Sequence, residues 1–193
     1  MSGADRRRQI VEAAIEALLA RGLASAATRD VTKALGVGAG LLHHYFPSWA
    51  ALRAEAVSLA VGREIEELSA LVADVPAAEA LQRIAGWMVQ DDDMRHWRLW
   101  LNAQDEAHRE PLLATVMNKA MLDWHHLIAG VLSRLGEEGG PVLADPPAAA
   151  WRLAALMDGL AGAMLVQGSV VSAAMARDLI VAQFELECGG ACR

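Results

Sequence analysis

Hydrophobic residues recur along almost the whole chain at spacings of three and four, the period of an amphipathic helix, and no stretch alternates as a strand would. The pattern predicts an all-α protein of about nine helices. The first runs from about Arg6 to Arg21, with Ile10, Ala14, Ala17 and Leu18 inward and Gly22 ending it. Thr28 reads as the N-cap of a short helix through Leu35, closed by Gly36. Another short helix covers about Ala39 to Tyr45 and stops before Pro47. Ser48 then caps a long helix to roughly Ala73. Further helices follow at about Ala77–Val89, Met94–His108, Glu110–Leu135 and Pro147–Gly168, and the last spans Ser172 to about Leu186. They are separated by the acidic run Asp91-Asp92-Asp93, by Glu110-Pro111, by the loop from Gly136 to Pro147 and by Gly168-Ser169.

Two short helices joined by a tight glycine-containing turn, buttressed by a longer first helix, make a helix-turn-helix unit. Gly36 supplies the positive φ that such a turn needs. Leu42 and Phe46 should face the core with Val31 and Leu35, leaving Ala39 and His43, with Gly40 and His44 beside them, on a small polar outer face. That face suits a DNA major groove about 12 Å wide. Periodicity alone leaves an ordinary helical hairpin equally open. The expected division is a head, residues 1–47, on a helical body, residues 48–193, with the helix 48–73 as connector.

Composition adds a sizeable core, since 54% of the 193 residues are hydrophobic. The most apolar stretch, Leu153 to Met175, carries Asp158 and Gln167 between Arg152 and Arg177, so it reads as a buried or interface helix and not a membrane span. No apolar signal segment opens the chain, and a cytoplasmic location is expected. Cys188 and Cys192, both in the tail, read as incidental thiols, neither a structural bridge nor a zinc site. The net charge of −7 is uneven: residues 1–47 carry six cations against four carboxylates, or +2, and the rest sums to −9. A DNA-facing head on an acidic body that phosphates repel fits this asymmetry.

Enzyme chemistry finds no support: there is no His-Glu-x-x-His, no Gly-x-Ser-x-Gly and no phosphate loop. The pairs His43-His44 and His125-His126 are neighbours about 100° apart on a helix, poorly placed to share a metal. No metal or cofactor is expected. The body is rich in tryptophan. Trp97, Trp100, Gln104 and His108 lie on one helix face, and Met117, Met121, Trp124 and Ile128 on another. These stripes are core packing or the walls of a ligand pocket between helices; the spacing admits both. The candidate ligand set is Trp87, Trp97, Trp100, Gln104, Asp105, Met121, Trp124 and His125, whose aromatic faces and acid suit a cationic effector. Gly159 and Gly162 each cost about 1 kcal/mol in a helix interior, which close approach across a symmetric interface would offset. Trp151, Asp158, Gly159 and Gly162 are therefore the candidate homodimer contacts.

The run Thr28-Arg29-Asp30-Val31 through Leu35-Gly36-Val37-Gly38-Ala39-Gly40-Leu41-Leu42-His43-His44-Tyr45-Phe46-Pro47-Ser48 resembles the N-terminal signature of the tetracycline-repressor-like (TetR) family. The resemblance covers about residues 6–60. Gly-Leu-Leu-His-His-Tyr-Phe and the later Met157-Asp158-Gly159-Leu160 are most similar to the choline-responsive repressors of betaine synthesis. The resemblance implies a ligand-responsive regulator, by default a repressor that releases a palindromic double-stranded DNA operator. It also implies a dimer built on the last two helices. Thr28, Arg29, His44 and Tyr45 would hold phosphates, while Ala39, Gly40 and His43 would lie against base edges, with Gly38 also among the DNA-binding positions. Arg6–Arg8 would form an N-terminal arm. The chain departs from the family at Gly38 and Ala39, where Ser and Thr are usual, and at Trp49, where Lys is usual. A small-molecule-binding protein with degenerate DNA recognition is the alternative these departures raise.

Overall fold

The computed structural model describes residues 2–90 and 94–188, and among these the chain forms nine α-helices and no strand. They are α1 (Gly3–Arg21), α2 (Thr28–Leu35), α3 (Ala39–Tyr45), α4 (Trp49–Ala73), α5 (Ala77–Met88), α6 (Arg95–Ala107), α7 (Pro111–Glu137), α8 (Pro146–Met164) and α9 (Ala173–Glu187). The acidic run at 91–93 lies outside the described residues.

Three local expectations need correction. Helix α1 starts earlier than its hydrophobic period because Ser2 and Asp5 form a capping box: the Ser2 hydroxyl accepts the Asp5 N–H at 3.1 Å, and the Asp5 carboxylate accepts the Ser2 N–H at 3.0 Å. Arg6–Arg8 therefore stand on a helix and not on an extended arm. The N-cap of α2 is Ala27, which has no capping side chain, with Thr28 the first helical residue; the Asp30 carboxylate at the third position accepts the Ala27 N–H at 2.9 Å, the reciprocal half of a capping box. Helix α8 stops at Met164, short of Gly168. Beyond it the backbone tightens into i→i−3 bonds, Val166 N–H to Ala163 and Ser169 N–H to Val166, and Gly168 turns at φ 71°.

The chain packs as two compact units. The first comprises the described residues up to Arg63 together with Arg95–Ala120. In it α1 packs on α2 and α6, and α2 packs on α3. Ile10, Val11, Ala14, Ile15, Leu18, Leu23, Val31, Leu42, Phe46 and Leu52 are buried. Each buried Leu, Ile or Phe contributes about 1.5–3 kcal/mol. The inward face of α1 is broader than the period indicated, taking in Val11 and Ile15, whereas Ala17 is only half-buried. Gly36 caps α2 in the left-handed region at φ 65°, which gives the turn its glycine requirement.

The second unit comprises the remaining described residues, with α9 packed on α5 and α8. Leu68, Leu81, Ile84, Met88, Ile128, Leu132, Leu153, Met157, Ile180 and Phe184 form its buried centre. Helix α5 starts at Pro76 without a side-chain cap of its own, and Glu138 accepts the Ala77 N–H at 2.7 Å in its place. Arg134 donates to the carbonyls of Val72, at 3.0 Å, and Val75. Cys188 is buried at the end of α9 and is not part of a frayed tail; Cys192 lies outside the described residues. No helix of the described residues is long and apolar enough to cross a membrane.

Candidate nucleic-acid interface and effector residues

Helix α3 presents one face to the core and one to solvent. Leu42 and Phe46 are buried, Leu35 is half-buried, and Ala39, Gly40, His43 and His44 are exposed together. Gly38 is the N-cap and contributes no side-chain hydrogen bond, so this helix start lacks the about 1 kcal/mol a hydroxyl cap supplies. Arg29 is exposed at the start of α2, with Thr28 half-buried beside it. Tyr45 is half-buried and meets the His44 ring edge-on at 5.0 Å. Arg6 donates to the Gln9 side chain at 3.1 Å.

Arg7 carries a role the sequence pattern did not reveal. Its guanidinium lies 4.6 Å from the centre of the Phe46 ring and pairs with Glu55. It thereby fastens α1 to the end of α3 and to the start of α4. Ser48, as expected, accepts the Ala51 N–H at 3.1 Å and sets the start of α4. Trp49 is half-buried.

The candidate effector residues fall in both units. In the first, Trp97 and Trp100 are buried on α6 and Gln104 is half-buried, but the Asp105 side chain is 70% exposed and lies 3.9 Å from Arg109. In the second, Trp87 and Trp124 are buried with ring centres 5.5 Å apart, and Met121 is half-buried. His125 is also buried. Its Nε2–H donates to the Pro147 carbonyl at 2.9 Å, and its ring stacks on Trp151 at 4.4 Å. Because a carbonyl only accepts, Nε2 carries a hydrogen, while the buried Nδ1 has no hydrogen-bond partner. Among the described residues no group of His, Cys, Asp and Glu is arranged to hold a metal ion.

Along α8, Trp151 is 46% exposed, Gly159 is exposed, and Asp158 and Gly162 are half-buried. A Cβ built on Gly159 would meet nothing within 4 Å, so packing inside the chain does not demand glycine there. Met175 and Leu179 on α9 are exposed as well.

Comparison with known proteins agrees with this architecture. Residues 10–56 match the family model "Bacterial regulatory proteins, tetR family", and residues 77–189 match "BetI-type transcriptional repressor, C-terminal". The HTH-type transcriptional regulator PksA of Bacillus subtilis (strain 168) is 30% identical over 161 residues, covering 81% of this chain and 77% of that protein. A transcriptional regulator from Saccharomonospora viridis, solved in complex with choline, superposes with a TM-score of 0.85 at 25% identity over 94% of this chain and 96% of its own. A regulator from Pseudomonas aeruginosa PAO1 shares the fold, with a TM-score of 0.82 at 24% identity over 100% of this chain and 95% of its own. The chain belongs to the TetR family of bacterial transcriptional regulators, whose shared role is ligand-responsive DNA binding.

Proposed function

We propose that this chain is a dimeric, cytoplasmic repressor. Its head, residues 1–47, grips a palindromic operator, and its body, residues 48–193, releases that grip on binding a small organic cation. The observation that carries the DNA half is the outer face of α3, where Ala39, Gly40, His43 and His44 are exposed together beside Arg29. In this reading Arg29, Thr28, His44 and Tyr45 hold phosphates and fix register, while Ala39, Gly40 and His43 meet base edges. Arg6 adds a phosphate contact from α1. The exposed Gly159 face of α8, with Trp151, Asp158 and Gly162, supports a symmetric pairing of two protomers. Two heads then reach major grooves roughly 34–36 Å apart.

The effector reading rests on aromatic faces and one ring nitrogen. Trp87 and Trp124 offer paired π-faces, and the unpartnered Nδ1 of His125 offers a hydrogen-bonding position to the same ligand. Met121 completes the proposed set within the second unit; Trp97, Trp100, Gln104 and Asp105 are separate candidates within the first, Asp105, on its exposed position, the least supported of them. The choline held by the Saccharomonospora viridis relative is of this chemical class. A ligand that binds better when the heads are wrongly spaced lowers DNA affinity by its differential affinity for the two states.

Tryptophan fluorescence titrated with choline, betaine aldehyde and polyamines tests the effector class. Choline is expected to quench or shift the emission, and silence from all of them rejects a cationic ligand. The lack of a side-chain cap at Gly38 and of polar side chains at 39 and 40 favours a second reading, a binding protein with weak specific recognition. A gel shift on the DNA upstream of the gene separates the two. Discrete retardation supports the repressor, whereas smearing that salt abolishes supports the weaker reading.

A further inference from the structure

Arg53, near the start of α4, gathers three distant parts of the first unit around one guanidinium. Its Nη1 donates to the Leu23 carbonyl at 3.1 Å, and its Nη2 bonds the Glu110 carboxylate and lies 3.6 Å from that of Glu106. The side chains of Arg53, Glu106 and Glu110 are 13%, 19% and 13% exposed, so solvent screens them little. Leu23 sits in the loop that delivers the chain to α2, and Glu106 and Glu110 flank the corner where α6 passes to α7. The reading head and that corner are thus joined through a single side chain.

The cluster holds two carboxylates for one buried cation, and a second cation reaches one of them from the other side: Arg53 lies by Glu106 Oε2 and Arg109 by Glu106 Oε1. Arg109, 72% exposed, lies 3.6 Å from Glu106, the same distance as Arg53. Glu106 therefore stands midway between an inner guanidinium that touches the head and an outer one in solvent. The network is also incompletely bonded, since Arg53 Nε and Glu110 Oε1 are buried without partners. Unpaired buried polar atoms are costly, so a rearrangement that gave either of them a partner would be favoured.

We propose that Arg53 is a positioning residue of the reading head, and that exchange of Glu106 between Arg53 and Arg109 sets how firmly the head is held. With Glu106 inward, the guanidinium fork is fixed between Leu23 and the α6–α7 corner. With Glu106 outward on Arg109, Arg53 keeps Glu110 alone and its hold on the Leu23 carbonyl loosens. Helix α6 also carries Trp97, Trp100, Gln104 and Asp105, so the inference rests in part on the effector reading above. A ligand that turns α6 would act through Glu106, one position beyond Asp105.

The exchange predicts opposite effects from neighbouring substitutions, which a merely structural salt bridge does not. Hydrogen exchange of the full-length protein is read at the amides of residues 24–45, with α8 and α9 as internal reference. Glu106→Gln is expected to speed exchange in that segment several-fold, and Arg53→Met to speed it further. Arg53→Lys fails to restore it because an ammonium cannot span the fork. Arg109→Ala is expected to slow the same amides, because Glu106 is left to Arg53 alone. On a duplex selected by the wild-type protein from a randomised palindromic pool, Glu106→Gln should bind about 3–10-fold more weakly, and Arg109→Ala at least as tightly as wild type. Silence of both variants, or changes of the same sign, overturns the proposal. If Arg53→Met does not fold, the Glu106 and Arg109 variants still decide it. Failure to select any duplex speaks against the DNA-binding reading instead, and leaves the exchange result standing.

Discussion

At Gly40 the protein's own packing gives no reason for a glycine. A Cβ there would meet nothing within 4 Å, and the residue lies inside a seven-residue helix where glycine costs about 1 kcal/mol relative to alanine. A close approach from outside the chain, as at the proposed DNA surface, would give the glycine a reason. Gly40→Ala should therefore raise the melting temperature by about 2–4 °C and weaken operator binding at least tenfold, as read by thermal melts and gel shifts. Retained affinity in that variant would remove Gly40 from the interface. The exposed set on α3 was legible because side-chain direction follows directly from helical period. Asp105 was not: it follows Gln104 by one position, about 100° around α6, and its side chain emerges beside Arg109 on the solvent side. Arg7 was missed for a different reason. Its contacts with Phe46 and Glu55 join positions far apart in sequence, and only packing brings them together.

At the scale of helices, limits were read well from glycine, proline and capping signals, and less well where another element supplies the cap. Glu138 closing α5 across 61 positions is such a case. So is the clasp between α8 and α9, where Arg152 and Glu187 meet through two hydrogen bonds of 2.7 and 2.5 Å. The Arg152 hydrogen bond holds the Glu187 carboxyl below its ordinary value, and Arg63 does the same to Glu12 in the first unit. A carboxyl whose folded value is depressed adds stability above the ordinary carboxylate range and loses it as pH falls through its folded value. Glu187→Gln should thus lower the melting temperature by about 2–4 °C at neutral pH, and the gap should close in strong acid. A gap independent of pH would mean that the clasp acts through packing rather than charge.

For the molecule as a whole, charge and symmetry set the expectations. The +2 head favours DNA while the −9 remainder opposes it, so binding should be oriented and steeply salt-dependent. Gly159→Leu tests the pairing of protomers. The substitution meets open space within the chain yet would obstruct a closely packed helix from a second copy, so sedimentation should show monomers with unchanged helicity. A surviving dimer would place the interface elsewhere. Monomers should also bind the operator more weakly, because two half-sites are no longer gripped at once. The composition of the first compact unit bears on protein engineering. Since α6 packs on α1 and residues 95–120 belong to the same compact unit as residues 1–63, a chimaera that swaps reading heads by cutting at residue 47 would separate Leu23 from its native Arg53, and α1 from its native α6. A transplantable sensor-regulator would have to exchange two stretches of chain, residues 1–63 and 95–120, as one cassette.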